Sequence, residues 1–252
     1  MAELKQNNRD NLAQISKLGC YVLPGHLRDC LPEYRKLYDE AYKFFHHFMG
    51  IEMRSEKLTD IESKLSSDAY MLFEDIFVLA YPEVNGELKI VGLFCFDTKD
   101  VTSQAMLGQS SFKAYPVEIL EKYIHASEKI MTIGHLLVHP EWRRSKIGIG
   151  LSDVLVWFMH KRFAESGADL MIYFTRNNRG TDDLGTKFGG KVVVANYNYG
   201  GLDAHIIVTK IPDVVLDCGD NQVNALSQKL WDSRVICRVG GVEQSLSRQL
   251  GQ

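Results

Sequence analysis

Three things are missing from this chain of 252 residues: a long apolar run, an excess of charge of one sign, and paired cysteines. Without about 18 uninterrupted apolar residues no segment reads as a membrane-spanning helix. The N-terminus, Met1-Ala2-Glu3-Leu4-Lys5-Gln6-Asn7-Asn8, is polar rather than leader-like. The 29 Lys and Arg stand against 32 Asp and Glu, a formal charge of −3, and with no long basic run this argues against nucleic acid as the main partner. Cys20, Cys30, Cys95, Cys218 and Cys237 are odd in number, with no Cys-x-x-Cys pair and no histidine at zinc spacing, so neither a disulfide framework nor a zinc site is expected. The expectation is a cytoplasmic protein with reduced, buried thiols, no metal, no nucleic-acid partner and no membrane span.

The chain is long enough to bury a substantial core, and its apolar pattern changes period several times. After Leu31-Pro32, apolar residues at Tyr34, Leu37, Tyr38, Ala41, Phe44, Phe45, Phe48 and Met49 have helical spacing, and Gly50 is expected to end that helix. A second helical pattern places Leu58, Ile61, Leu65, Ala69, Leu72 and Phe73 on one side. Ile76 to Tyr81 and Leu88 to Phe96, joined by Pro82-Glu83-Val84-Asn85-Gly86, then read as a β-hairpin. A short helix is expected at Val117 to Tyr123, and a strand at Ile130 to Val138. Beyond a basic turn, Leu151, Leu155, Phe158, Met159 and Phe163 mark a helix that Ser166-Gly167 stops. The strand Asp169 to Phe174 returns parallel to the one before the helix, a β-helix-β crossover. Lys191 to Ala195 and His205 to Thr209 form a last strand pair around Gly200-Gly201, and the tail holds one helix, Gln222 to Trp231. The fold class is α/β: a mixed, mostly antiparallel sheet with a central parallel strand-helix-strand crossover and flanking helices.

The basic turn, Val138-His139-Pro140-Glu141-Trp142-Arg143-Arg144-Ser145-Lys146-Ile147-Gly148-Ile149-Gly150-Leu151, is suited to phosphate. The first amides of a helix have no intrahelical partner, and the helix dipole adds about half a positive charge there. Arg143, Arg144 and Lys146 add mobile charge, and Gly148 and Gly150 allow a ligand close to the backbone. The spacing matches neither a Walker loop nor the dinucleotide fingerprint.

The segment resembles the acyl-CoA-binding motif of the GNAT superfamily of N-acetyltransferases, in which Leu-x-Val-x-Pro-Glu-aromatic-Arg runs into Arg/Gln-x-x-Gly-x-Gly/Ala. Leu136-Leu137-Val138-His139-Pro140-Glu141-Trp142-Arg143 fits the strand side closely. On the glycine side two alignments are open. The ungapped one opens at Arg143, puts Lys146 at the first glycine and Gly148 at the second, and is preferred because it keeps strand, turn and helix lengths intact. The other runs Ser145 to Gly150, recovering both glycines but lengthening the turn by two residues. A weaker match follows the return strand, where many GNAT proteins carry Asn-x-x-Ala-x-x-x-Tyr-x-x-x-Gly-Phe. Asn178 and Gly189 survive, while Gly185 stands at the tyrosine that often protonates the leaving thiolate.

The resemblance covers roughly residues 70 to 211 and implies one acyltransferase domain over 1–211, with a helical part at 27–74, a sheet core at 75–211, and an extension at 212–252 packed on the domain or on a neighbour. It implies acetyl-CoA or another acyl-CoA as donor and direct attack by the amine of a small molecule or peptide, with a homodimer as an open possibility. Donor contacts are expected from Leu136, Leu137, Val138, Arg143, Arg144, Ser145, Lys146, Ile147, Gly148, Gly150 and Asn178. Gly134 is the expected bulge that parts the two strands.

The family's usual glutamate base falls on Thr132, which leaves His135 and Glu128 as the titratable candidates on that strand. Tyr173, Tyr197 and Tyr199 are hydroxyls that could replace the missing acid, and Cys95 is a candidate nucleophile or a core thiol. The aromatic stripe from Tyr34 to Phe48 is either core or the wall of a pocket for a longer acyl chain, including one delivered by acyl carrier protein. A GNAT-fold module that binds acyl-CoA without catalysis is the reading from another class.

Overall fold

The structure, a computed structural model, describes residues 13–58, 61, 65–66, 73–109, 111–177 and 180–240. The second helical pattern, Leu58 to Phe73, lies largely outside them. The chain forms two compact units, the first from Met1–Cys95, His135–Leu155 and Ala225–Gln252, the second from Phe96–Gly134 and Val156–Asn224.

In the first unit, strand β1 (Gly19–Pro24) pairs antiparallel with β2 (Asp75–Pro82), from Gly19↔Ala80 to Pro24↔Asp75. Helix α1 (Arg35–Ser55) lays Leu37, Tyr38, Ala41, Phe44, Phe45 and Met49 into a core with Leu23, Ile76, Val78, Leu93 and Leu137. The helix does not stop at Gly50. A Cβ there would sit 3.1 Å from Leu65 Cδ1 and 3.0 Å from Arg54 Nη2, so the glycine admits a close neighbour, and the good helix formers after it offset its cost of about 1 kcal/mol. Strand β3 (Leu88–Asp100) completes the hairpin and runs four residues past the expected end at Phe96.

The second unit is built on β4 (Lys129–Val138), β5 (Leu170–Arg176), β6 (Lys191–Tyr199) and β7 (Leu202–Lys210). β4 and β5 are parallel over Ile130↔Leu170, Met131↔Met171 and Thr132↔Ile172, and β5 and β7 are antiparallel from Leu170↔Lys210 to Arg176↔Ala204. Alternation puts Leu170, Ile172, Ile206 and Val208 on one face, where they meet Phe112, Tyr115, Ile119 and Ile124. The short helix expected at 117–123 is present as one turn at Val117–Ile119 followed by a wider turn at Leu120–Ile124.

Strands β3 and β4 contribute residues to both units, as does the crossover helix. Between β4 and that helix the chain makes a 3-10 turn at Pro140–Trp142 and a one-turn helix, α2 (Arg144–Ile147); α3 then runs Leu151–Ser166 and Gly167 ends it at φ +70°. Where one apolar side was expected, Val154, Val156 and Trp157 are buried as well as Leu155, Phe158 and Phe163, the pattern of a helix covered on most sides. Helix α4 (Thr181–Lys187) follows β5, and α5 (Asn221–Asp232) lies near the end of the chain.

Residues after Ala225 complete the first unit. Trp231 stacks on Phe77 with centroids 5.7 Å apart, β8 (Val235–Ile236) pairs parallel to β1, and Cys237 N–H donates to Val22 O at 2.9 Å. The eight strands therefore pair in the expected mixed, mostly antiparallel manner, with the parallel β4-α3-β5 crossover in place. Among the described residues no helix is long and apolar enough to cross a membrane.

Candidate active site

His139 N–H donates to Val91 O at 2.9 Å and closes the end of β4, while His139 Nδ1 accepts from Glu141 N–H at 3.2 Å and caps the 3-10 turn. Trp142 is buried beside Tyr81, their rings 5.3 Å apart. Arg143 caps α2 in an extended conformation, and Arg143, Arg144, Ser145 and Lys146 all face solvent. Gly148 ends α2 at φ +80°, its N–H donating to Arg144 O at 2.9 Å. Side chains rarely adopt that conformation, and the glycine lets the chain reverse into α3.

The first amide bonded within α3 is that of Val154, which donates to Gly150 O at 3.2 Å, so Leu151, Ser152 and Asp153 carry the N–H groups that precede the helical ladder. Asp153 is 5% exposed, and a Cβ on Gly150 would lie 2.1 Å from its Oδ2. Gly150 is thus required by the chain's own carboxylate, which already meets the positive end of the helix. The one-turn helix α2 lies between the 3-10 turn and α3, with Gly148 and Gly150 both ahead of Leu151. A cavity of about 430 Å³ adjoins the turn, lined by Tyr81, Glu83, Lys89, Glu141, Trp142 and Lys146 among others.

On β4 the left-handed residue is His135, at φ +58°, and not the expected Gly134. A non-glycine residue there costs about 1–2 kcal/mol, which the packing of its ring offsets: Phe45 lies 4.6 Å and Phe73 5.3 Å away, centroid to centroid. Enclosure in apolar surroundings draws the imidazole pKa down from 6.5 to about 4. At neutral pH the ring is uncharged and weakly basic. Leu137 is buried in the α1 core, and its carbonyl oxygen would come 3.1 Å from a Cβ on Gly92, so the glycine of β3 admits β4 at close range.

The second unit holds Glu128 and the tyrosine candidates, and Cys95 belongs to the first. Glu128 is exposed at the start of β4, its N–H donating to Asp169 Oδ2 at 2.8 Å. Tyr173 is 4% exposed on β5, and its hydroxyl lies 2.6 Å from where a Cβ on Gly185 would be. The glycine at the family's tyrosine position thus stands over a tyrosine from the neighbouring strand. Burial raises the Tyr173 pKa above its usual value, and the neighbouring Thr209 hydroxyl opposes that rise.

Gly185→Ala should overpack this contact and destabilise the protein by about 1–3 kcal/mol. In a double-mutant cycle read by urea unfolding, Tyr173→Phe should recover part of the loss; strict additivity would show that the two positions do not share the space.

Tyr197 donates to Ala114 O at 2.9 Å, Tyr199 stacks on Phe174 at 4.0 Å, and Cys95 is buried with its thiol pKa raised by desolvation. Asn178 lies outside the described residues. Sequence reasoning missed Asp97, Lys99 and Gln109, which form a polar cluster beside Thr132. No local pattern marked them, because Asp97-Thr98-Lys99-Asp100 is an unbroken polar run.

No family model matches the sequence, and no curated protein matches it. Solved structures do resemble it. FeeM, an N-acyl amino acid synthase from uncultured soil microbes, is similar over 78% of this chain and 93% of that chain, at TM-score 0.50 and 13% identity. The CoA-dependent acyl-homoserine lactone synthase BjaI with MTA matches over 92% of this chain and 98% of that chain, at TM-score 0.53 and 13% identity. The same synthase with SAM and isopentyl-CoA matches over the same shares at TM-score 0.52 and 11% identity. At such identities the likeness is one of fold. The chain has the GNAT-like α/β fold, a mixed sheet with a parallel crossover and flanking helices.

Proposed function

We propose that this protein is an acyltransferase that moves an acetyl or longer acyl group from acyl-CoA to an amine. The observation that carries the reading is the β4-turn-α3 connection, where four exposed residues, three of them basic, precede a left-handed Gly148 and the leading amides of a helix. Exposed cations beside a helix start and a glycine turn support a site for the donor's phosphates. The two neighbours of similar fold are named for acylated products, and one was solved with isopentyl-CoA.

In this reading Arg143, Arg144 and Lys146 face the donor's phosphates. Backbone groups of Leu136 to Val138 meet the pantetheine arm. The amine nitrogen attacks the thioester carbon, the C–S bond breaks as the tetrahedral intermediate collapses, and the thiolate takes up a proton as the nitrogen loses one. His135, neutral and enclosed by Phe45 and Phe73, borders the apolar α1 core. The aromatic stripe of α1 is then a wall for an acyl chain as well as core.

Release of CoA thiol, followed across acyl-CoA chain lengths with a panel of amines, tests the proposal. Turnover with any donor and acceptor supports it. Binding of CoA without thiol release for any acceptor would favour a non-catalytic acyl-CoA-binding module, the reading to which Gly185 at the family's tyrosine position and the hydroxyl of Thr132 lend support.

A further inference from the structure

The cavity of about 430 Å³ lies wholly within the first unit, walled by Tyr81 of β2, Glu83 just after it, Lys89 of β3, Glu141 and Trp142 of the 3-10 turn and Lys146 of α2, among others. Its size falls in the range of small-molecule sites, about 300–1,000 Å³. The same unit carries Arg143, Gly148 and the leading amides of α3. Cavity and phosphate turn therefore share one stretch of backbone.

Trp142 is 7% exposed and its ring lies 5.3 Å from that of Tyr81, so a buried indole backs a half-buried phenol in the cavity wall. A ring supported in this way is a platform for a planar base, because every nucleobase has a face that stacks on an aromatic side chain. Lys89 is exposed and comes from a strand rather than from the turn. Its charge nevertheless reaches the same imidazole as that of Arg143: burial is the main cause that holds the His139 pKa below 6.5, and Lys89 and Arg143 both act in the same direction. The positive field of the turn is thus continued on β3. Glu83 and Glu141 add carboxylates, which accept from the hydroxyl and amino groups of a nucleoside.

Coenzyme A differs from the phosphopantetheine arm of a carrier protein by one piece, an adenosine with a 3′-phosphate on its ribose. A planar base, a ribose hydroxyl and a detached phosphate are the groups that the phenol, the carboxylates and Lys89 complement. We propose that this cavity seats the 3′-phosphoadenosine of the donor, with Tyr81 against the adenine and Lys89 on the 3′-phosphate, and that the protein draws its acyl group from CoA rather than from acyl carrier protein. The inference rests on the acyltransferase reading and names its donor.

Calorimetric titration of the full chain with CoA, dephospho-CoA and 4′-phosphopantetheine tests the seat. CoA should bind the wild type about tenfold tighter than dephospho-CoA, the value of one charge-assisted contact to phosphate, and phosphopantetheine should bind more weakly still. In Lys89→Met the difference between CoA and dephospho-CoA should close, and Lys89→Arg should restore most of it. Lys89 is exposed, so neither change threatens the fold. Tyr81→Leu keeps an apolar side chain against Trp142. It should weaken CoA and dephospho-CoA alike by about fivefold or more and leave phosphopantetheine within about twofold.

Equal affinity of the wild type for CoA and phosphopantetheine overturns the seat, as does a preference for CoA over dephospho-CoA that survives in Lys89→Met. Faster thiol release from an acyl carrier protein than from the matching acyl-CoA overturns the choice of donor. If CoA does not bind at all, the acyltransferase reading fails, and adenosine 3′,5′-bisphosphate then decides the cavity by itself: binding that Lys89→Met weakens upholds a nucleotide seat, while absent binding, or binding indifferent to Lys89, rejects it.

Discussion

In calorimetric titrations with CoA, Arg143→Ala is expected to weaken binding by about tenfold or more, the value of a charge-assisted contact to phosphate, and Gly148→Trp to remove measurable binding. Arg143 is exposed at the cap of α2, so its loss leaves no cavity and no buried partner. Gly148 acts differently. Its φ of +80° is strained for any side chain, at a cost of about 1–2 kcal/mol, and a bulky ring there would also cover the amides that lead into α3. His135→Ala serves as the comparison, because that ring is enclosed by Phe45 and Phe73 rather than aimed at the turn. If all three variants bind CoA alike, the donor site lies elsewhere.

Phe45→Ala is expected to destabilise the protein by about 3–5 kcal/mol in urea unfolding, the range for deleting a fully buried aromatic ring. Phe45 is 0% exposed and lies in the α1 core with Leu137, Ile76 and Leu93. The same change opens one wall of His135. Its pKa, held near 4 by burial, should rise toward the ordinary 6.5 in an NMR titration. The sign for stability follows: in the wild type the unfolded chain binds a proton between pH 6.5 and 4 that the folded imidazole refuses, so this group lowers stability as the pH falls through that window. In Phe45→Ala that part of the pH dependence should shrink. An unchanged His135 titration would show that Phe45 does not set its surroundings.

Much of the architecture is legible in local pattern. The short apolar runs at 76–81 and 88–96, the apolar strand before His139 and the period of α3 all place elements where the structure has them, because run length and spacing decide which backbone geometry can bury a side chain. Gly50 misleads for the complementary reason. A glycine reads as a stop until Leu65, distant in sequence, is seen to pack against it. The same holds at residue 134, where local chemistry favours glycine for a kink and tertiary packing on two phenylalanines allows His135 to take it instead.

By itself the sequence determined α1, the strands β2 to β7, the crossover helix and the basic, glycine-containing turn before it, since each depends on residues within a few positions of one another, while β1, α4 and β8 were not read from it. Only the tertiary structure decided what those residues face: Asp153 over Gly150, the Tyr173 hydroxyl beneath Gly185, and Lys99 between Asp97 and Gln109. Contacts between segments far apart in sequence depend on packing in three dimensions, and charge, burial and proton affinity are settled there rather than in the local chain.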